Sequence, residues 1–191
     1  MSNATKRVLA MALKERLTKQ RLDDITIQSL VDDAQVSRKT FYYHFQDVYA
    51  LLEWIFVDEG RRILRDISDA EGWQQGLRNI FRYFEENRGM ILNIYRPLKH
   101  EEDMLELHIS RLVRPLLERI FDEQPDQEKV SQEDRKFILD LYAYGMIELF
   151  LRWVGNGMKP EGEKLMEQID RIFSGSMSSL IQRSLQNRKT E

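Results

Sequence analysis

Hydrophobic positions recur every three or four residues along almost the whole chain, and this spacing is typical of α-helices. In the first such segment, about Thr5 to Gln20, the residues Leu9, Leu13 and Leu17 fall on one face. No segment alternates between apolar and polar residues as a half-buried strand does. The sequence therefore predicts an all-α protein.

Polar breaks divide the chain into a head of three short helices and a body of about six helices, with the boundary at residues 47 and 48. The predicted domains are residues 1–47 and 48–191. After the first helix, the predicted helices are Ile27–Ala34, Arg38–Phe45, a long helix that Asp47 opens and that runs to about Ile67, Trp73–Asn87, Gly89–Arg96, Met104–Phe121, Glu133–Val154 and Glu161–Gln186. The polar segment Glu123–Val130 reads as a loop.

The stretch from Thr26 to Phe45 has the pattern of a helix-turn-helix. Thr26 and Ser37 each precede a short predicted helix, and a hydroxyl at that position can accept a hydrogen bond from a free amide of the first turn. A connection of about three residues, with Gln35 and Val36, joins the two helices. This arrangement suits a helix that enters the major groove of DNA.

The second helix of this pair has an unusual composition. Phe41 and Phe45 lie four residues apart and can anchor one face in the core, and the opposite face presents cations, hydroxyls and an imidazole. Those exposed residues are Arg38, Lys39, Thr40, Tyr42, Tyr43 and His44. Arg and Lys bind phosphates and guanine edges, and Tyr hydroxyls donate to phosphates. The residues alone leave an alternative open, a packed aromatic helix whose charges are merely solvated.

Charge is distributed unevenly between the two predicted domains. The net charge is −3, but residues 1–50 hold eight Lys or Arg against six Asp or Glu (+2), and residues 51–191 hold 21 against 26 (−5). A mildly basic head on an acidic body is compatible with DNA binding by the head. With no Cys there are no disulfides or thiolate sites. Because neither a leader peptide nor an apolar run of about 20 residues is recognisable, we expect a cytoplasmic protein.

The head resembles the DNA-binding domain of the tetracycline-repressor (TetR) family. The resemblance covers residues 5 to about 60 and depends on the hydrophobic-Thr start at Ile25–Thr26 and on the run Val36-Ser37-Arg38-Lys39-Thr40-Phe41-Tyr42-Tyr43-His44-Phe45. It implies a sequence-specific regulator that binds a palindromic operator as a homodimer. It also implies that Thr26 and Gln28 reach phosphates or the groove edge. Ser37, Arg38, Lys39, Thr40 and Tyr43 would lie in or near the major groove, with Tyr42 and His44 on the backbone.

Two positions depart from the family pattern. Gln35 stands where the family usually has Gly, so a left-handed backbone is expected there at some strain. Val48 stands where the family usually has a Lys that contacts the DNA backbone, so one phosphate contact is missing.

The body suggests a dimer interface and an effector site. The predicted helix Glu133–Val154 is apolar almost all round, and small residues interrupt the apolar positions of the last helix. They are similar to the pair of helices with which the family dimerises; an intramolecular core alone is the alternative. The segments Tyr142–Gly145 and Arg152–Lys159 resemble a subgroup of regulators linked to dihydroxyacetone kinase operons.

The effector of such a regulator could be a small molecule or a protein. Candidate residues for contacting a small effector are Phe81, Phe84, Tyr95, Tyr142 and Met146, which could equally be plain core. No cofactor is expected. A metal site at His100, Glu101, Glu102, Asp103 and His108 can be imagined, but a solvated acidic face explains these residues as well. Without a nucleophile cluster or a Gly-rich phosphate loop, the sequence argues against an enzyme. A protein-interaction module that has lost DNA binding is the remaining alternative.

Overall fold

The computed structural model describes residues 2–67, 72–95, 104–173 and 175–187. The first four helices are α1 (Ser2–Leu17), α2 (Ile27–Asp33), α3 (Arg38–His44) and α4 (Val48–Ile67), and a short 3₁₀ turn at Leu22–Asp24 lies between α1 and α2. The predicted first helix was placed about three residues too late at both ends, and the 3₁₀ turn was not predicted. These differences lie at helix ends, where the periodic signal is weakest.

The body is built from α5 (Gly72–Glu86), α6 (Arg88–Ile94), α7 (Met104–Asp122), α8 (Gln132–Gly155), α9 (Gly162–Phe173) and α10 (Ser176–Asn187). Another 3₁₀ turn, Gln127–Lys129, interrupts the predicted loop. The part of the chain that the structure describes contains no β-strand. The predicted all-α fold is therefore confirmed.

One predicted helix is two helices. The sequence pattern predicted a continuous final helix over Glu161–Gln186, but α9 ends at Phe173 and α10 begins at Ser176. Gly175 between them has φ +76°, a left-handed conformation that terminates helices and that glycine adopts without steric cost. The hydrophobic period continues across the break, which is why the pattern concealed it.

A single hydrophobic core runs from the head into the body. In the head, Leu9, Leu13 and Leu17 of α1 are fully buried. In the body, α7 packs along α8, and α5 packs against both α4 and α9. Helix α1 also packs on α4 and α6, so the head and the body share an interface through these helices.

Candidate DNA-binding surface

Side-chain caps fix the starts of the two short helices. The hydroxyl of Thr26 accepts a hydrogen bond from the backbone N–H of Ser29 at 3.1 Å, at the start of α2. The hydroxyl of Ser37 accepts from the N–H of Thr40 at 3.0 Å, at the start of α3. The carboxylate of Asp47 accepts from the N–H of Ala50 at 2.8 Å and opens α4. All three predicted caps are confirmed, and they explain why helices of seven residues begin where they do.

The turn between α2 and α3 has the expected backbone. Gln35 has φ +52°, in the left-handed region where a side chain is mildly strained. The N–H of Val36 then bonds to the carbonyl oxygen of Val31 at 3.0 Å, which closes the turn. The turn therefore keeps the geometry that Gly provides in the family, although Gln35 replaces it.

Buried aromatic rings set the rotation of α3. Phe41 is completely buried and Phe45, directly after the helix, is 6% exposed. Their ring centroids lie 6.0 Å apart, and Phe45 also meets Trp54 of α4 edge to face at 6.2 Å. Because these rings hold one face of α3 against the core, the opposite face must point to solvent.

The nine residues expected to bind DNA all reach the surface of the head. Thr40 and His44 are half-buried and the other seven are exposed, with Tyr43 the most open at 82%. The seven exposed residues are Thr26, Gln28, Ser37, Arg38, Lys39, Tyr42 and Tyr43. Few intramolecular bonds engage them: Gln28 donates to Asp32 at 2.8 Å, and Arg38 reaches the hydroxyl of Tyr42 at 3.5 Å. Large aromatic side chains at such exposure are unusual on a surface without a partner.

The cations of the head fall into two groups. Lys14 pairs with Glu59, Arg16 pairs with Asp33 at 2.6 Å, and Lys19 pairs with Glu15 at 2.6 Å. The remaining cations have no carboxylate partner among the described residues, and they are Lys6, Arg7, Arg21, Arg38 and Lys39. Cations without an intramolecular partner remain available to phosphates.

The start of α4 differs from the family pattern in its charge. Val48 is only 8% exposed and packs into the core of the head. Next to it, the hydroxyl of Tyr49 donates to the carboxylate of Asp23 at 3.0 Å. The position at which the family usually carries a cation is thus apolar and buried here.

The five candidate effector residues do not form one site. Tyr142 and Met146 line an apolar cavity of about 90 Å³ between α5, α7, α8 and the joint of α9 and α10. Phe81 and Phe84 lie instead in a buried aromatic cluster around Phe150. The ring centroid of Phe150 is 4.5 Å from that of Phe81, on which it stacks, and 5.7 Å from that of Phe84. Tyr95 lies against Gly155, at the end of α8.

The cavity is mainly apolar, and one of its lining residues, Tyr142, takes part in a hydrogen-bonded pair. The hydroxyls of Tyr142 and Ser176 are 2.6 Å apart, and Ser176 donates to the carbonyl oxygen of Phe173 at 2.7 Å. The other walls include Leu77, Val113, Leu116, Gln124 and Ile169. Sequence reasoning missed these wall residues because the apolar ones look like ordinary core in their own helices and Gln124 lies in the polar segment after α7.

His108 is not on a solvated acidic face, as the sequence suggested, but in the core. Its side chain is 1% exposed, and its ring stacks on that of Phe56 of α4. The two ring centroids lie 3.9 Å apart, and the angle between the ring planes is 7°. The Nε2 atom has no hydrogen-bond partner in the described structure. Burial, and to a smaller extent the charge of Arg111, lower the pKa of His108 from 6.5 to about 3, so the ring is neutral. His108 shares the apolar face of α7 with Leu105 and Leu112, and this register was the signal that could have placed it.

The described residues contain no cluster of three or more potential metal ligands. Of the residues considered for a metal, His100, Glu101, Glu102 and Asp103 lie outside the described residues. No described helix is both long and apolar enough to cross a membrane.

Comparison with known proteins points in the same direction. Residues 71–175 match the TetR-type family described as "Transcriptional regulator C-terminal region". The chain is similar to the "HTH-type dhaKLM operon transcriptional activator DhaS" of Lactococcus lactis subsp. lactis (strain IL1403), with 29% identity over 172 residues and 88% of both chains covered. It is also similar to the solved structure of a "Dihydroxyacetone kinase operon activator DhaS", with a TM-score of 0.68, 26% identity and coverage of 91% of this chain and 96% of that one.

The family model covers more than half of the chain, and the two relatives extend the similarity through the head. These relatives are regulators and not enzymes, which agrees with the sequence-based expectation. TetR-type regulators bind operator DNA and act as dimers. The chain belongs to the TetR family of transcriptional regulators.

Proposed function

We propose that this protein is a sequence-specific, dimeric operator-binding regulator whose DNA affinity changes when an effector or partner binds residues 48–191. The observation that carries DNA recognition is the outward face of α3. Phe41 and Phe45 anchor the helix, and Arg38 and Lys39 extend from it without a carboxylate partner among the described residues. In this proposal Arg38 reads a base edge and Lys39 binds a phosphate.

The other head residues hold the protein on the DNA backbone. Thr26 and Gln28 at the start of α2 approach one phosphate strand, while Ser37, Thr40 and Tyr43 line the groove. Tyr42 and His44 bind the backbone on the far side of α3. Their exposure supports these roles, since each side chain can reach a partner outside the protein.

The exposed face of α8 supports dimerisation. Phe137, Leu141 and Tyr144 follow helical spacing along one face and are 69%, 54% and 63% exposed. Gly145 lies beside them with open space where a Cβ would be, so another helix can approach closely. Ile172 of α9 is also exposed, at 59%. A stripe of this kind on a monomer indicates a protein interface, and α8, α9 and α10 of a second copy are the partner that we propose.

The cavity between α7 and α8 is our candidate for a small effector. Its volume of about 90 Å³ corresponds to about three water volumes, far below the usual size of a drug-binding pocket. A small effector must therefore have few atoms or must open the bundle, whereas a protein effector would bind the outer surface of the body. Both relatives are named activators of dihydroxyacetone kinase operons. We therefore propose dihydroxyacetone and the protein products of such an operon as the first effectors to test.

Polar contacts at the head–body junction provide a route for coupling. Glu59 of α4 pairs with Lys14 of α1 and accepts a 2.5 Å hydrogen bond from Tyr83 of α5. Asn93 of α6 donates to the carbonyl oxygen of Leu17, at the end of α1, at 2.8 Å. A shift of α5 or α6 thus acts on both helices that carry α3, and it changes the spacing of the two recognition helices in a dimer.

The test of DNA recognition is fluorescence anisotropy with an operator duplex that the wild-type protein selects from random-sequence DNA. Wild-type protein is compared with the double variant Arg38→Ala, Lys39→Ala and with the control Lys159→Ala, Lys164→Ala, which removes two exposed cations from the body. We expect a loss of about 2–4 kcal/mol in binding free energy for the head variant only. Equal affinity of all three proteins for the operator would exclude α3 as the recognition helix.

The test of effector modulation uses the same duplex. Operator affinity is measured with and without each candidate, and effector affinity is measured with and without operator. Linkage requires both ratios to be equal. A candidate that binds the body tightly but leaves operator affinity unchanged is not the effector.

A further inference from the structure

The N-terminal helix α1 carries Lys6, a cation that is not among the nine residues of the proposed DNA-binding face. Lys6 and its neighbour Arg7 have no carboxylate partner among the described residues, whereas Lys14, Arg16 and Lys19 on or just after the same helix each form an ion pair. Arg7 is exposed to solvent. The charge of Lys6 therefore remains uncompensated within the described chain. Lys6 is half-buried, so its position is defined by packing.

Packing places Lys6 at the corner between the recognition helix and α4. Its Nζ lies 5.7 Å from the ring centroid of Phe45 and 5.9 Å from that of Trp54. Phe45 directly follows α3, and its ring centroid is 6.3 Å from that of His44, which in turn is 4.9 Å from that of Tyr43. A series of neighbouring aromatic rings, Phe45, His44 and Tyr43, thus leads from the ammonium group of Lys6 to the C-terminal end of α3.

The start of α4, at the same corner, has no cation of its own to bind a phosphate. Val48 at the start of α4 is apolar and buried. Asp47, which caps that helix, adds a negative charge. A phosphate near the start of α4 would therefore meet a carboxylate without a matching cation unless another element supplied one.

We propose that Lys6 binds an operator backbone phosphate at the corner of α3 and α4, in place of the contact that Val48 cannot make. The rings of Phe45 and Trp54, whose centroids lie 5.7 Å and 5.9 Å from Nζ, orient the ammonium group as aromatic faces do for cations. The contact is to the backbone, so it adds affinity without adding sequence preference. This inference depends on the proposed DNA-binding face.

The experiment measures operator affinity at several salt concentrations for Lys6→Met, Lys6→Arg and Lys19→Met. Lys6→Met keeps most of the apolar stem and removes the charge, and Lys19→Met removes an ion-paired cation just beyond the other end of α1. Because each protomer of the proposed dimer carries one Lys6, the substitution removes two phosphate contacts per operator, lowers the slope of log affinity against log salt by about 2 and weakens binding roughly 60-fold near 0.1 M salt. We expect this change in Lys6→Met, no change in Lys19→Met, and a wild-type slope in Lys6→Arg.

Thermal unfolding of each variant separates a DNA contact from a structural clamp. A wild-type slope in Lys6→Met, with or without a lower melting temperature, would overturn the proposal and leave Lys6 as packing. If Lys6→Met does not fold, Lys6→Gln and the retained slope of Lys6→Arg decide the same question. A different result would disprove the DNA-binding face itself: wild-type binding that does not depend on salt, together with unchanged binding by the double variant Arg38→Ala, Lys39→Ala. In that case the proposed phosphate contact of Lys6 is also wrong.

Discussion

The head and the body of this protein are stabilised in different ways. In residues 2–47 the helices after α1 are only seven residues long, and side-chain caps within three residues define their starts. The body contains helices of up to 24 residues, whose positions depend on contacts between elements far apart in sequence, such as Tyr142 of α8 with Ser176 of α10. Local interactions can thus specify the outward face of α3, whereas they cannot specify the core of the body.

The two regions also use charge differently. The head leaves Arg38, Lys39 and Lys6 without carboxylates among the described residues, and the body pairs cations such as Arg114, which lies 3.0 Å from Asp140. Exposed pairs of this kind contribute little stability, but they do remove free positive charge. The contrast predicts that DNA will contact the head alone.

The first prediction concerns the dimer. Leu141→Asp places a charge in the centre of the exposed α8 stripe, and we expect a monomer in sedimentation at micromolar concentration. Because two linked heads bind about 100-fold or more tighter than one, operator affinity should fall by roughly that factor. Leu107→Asp is the matched control, since Leu107 is also an exposed leucine but lies on α7. If Leu141→Asp remains a dimer, the dimer interface does not include the exposed stripe of α8.

The second prediction concerns acid stability of the body. The pKa of His108 is about 3 in the folded protein and 6.5 when unfolded, so below pH 6.5 the unfolded state binds more protons and the folded state loses stability, down to about pH 3. At pH 4.5 this loss is on the order of 2 kcal/mol. His108→Phe should show a correspondingly shallower loss in chemical denaturation from pH 7 to pH 4.5.

Equal acid sensitivity of wild type and His108→Phe would show that the buried ring is not the group that titrates on unfolding.

The third prediction separates the two cations of α3. Arg38→Ala should cost about 1–3 kcal/mol on the cognate operator and should reduce discrimination against a single base change. Lys39→Ala should weaken cognate and altered duplexes equally and, because each protomer of the dimer loses one contact, lower the salt slope by about 2. Anisotropy with both duplexes at two salt concentrations measures these effects, and the reverse assignment would exchange the roles of the two residues.

The fourth prediction concerns the junction between head and body. Tyr83→Phe removes the hydrogen bond to Glu59 and leaves this half-buried carboxylate with one partner fewer, so the free energy of unfolding should fall by about 1 kcal/mol. Effector and operator should also become less strongly coupled. Tyr95→Phe is the control, because the hydroxyl of Tyr95 has no hydrogen bond among the described residues. If effector and operator binding remain equally coupled in Tyr83→Phe, the coupling between body and head passes through the Asn93 contact of α6 instead.

The sequence by itself determined the head. Caps at Thr26, Ser37 and Asp47 act through hydrogen bonds between residues three apart, and the four-residue spacing of Phe41 and Phe45 fixes which face of α3 is exposed. These interactions are local, so a pattern in the chain is enough to locate them. The left-handed backbone at Gln35 follows from the same local turn.

Only the tertiary structure decided the body and the finer composition of the site. The break at Gly175, the burial of His108 against Phe56, the separation of Tyr142 and Met146 from Phe81 and Phe84, and the position of Lys6 over Phe45 and Trp54 all depend on which helices pack together. Helical periodicity states which face of a helix is apolar, but many partners can cover an apolar face. The physical choice among them is made by close packing in three dimensions, which no single segment of the chain contains.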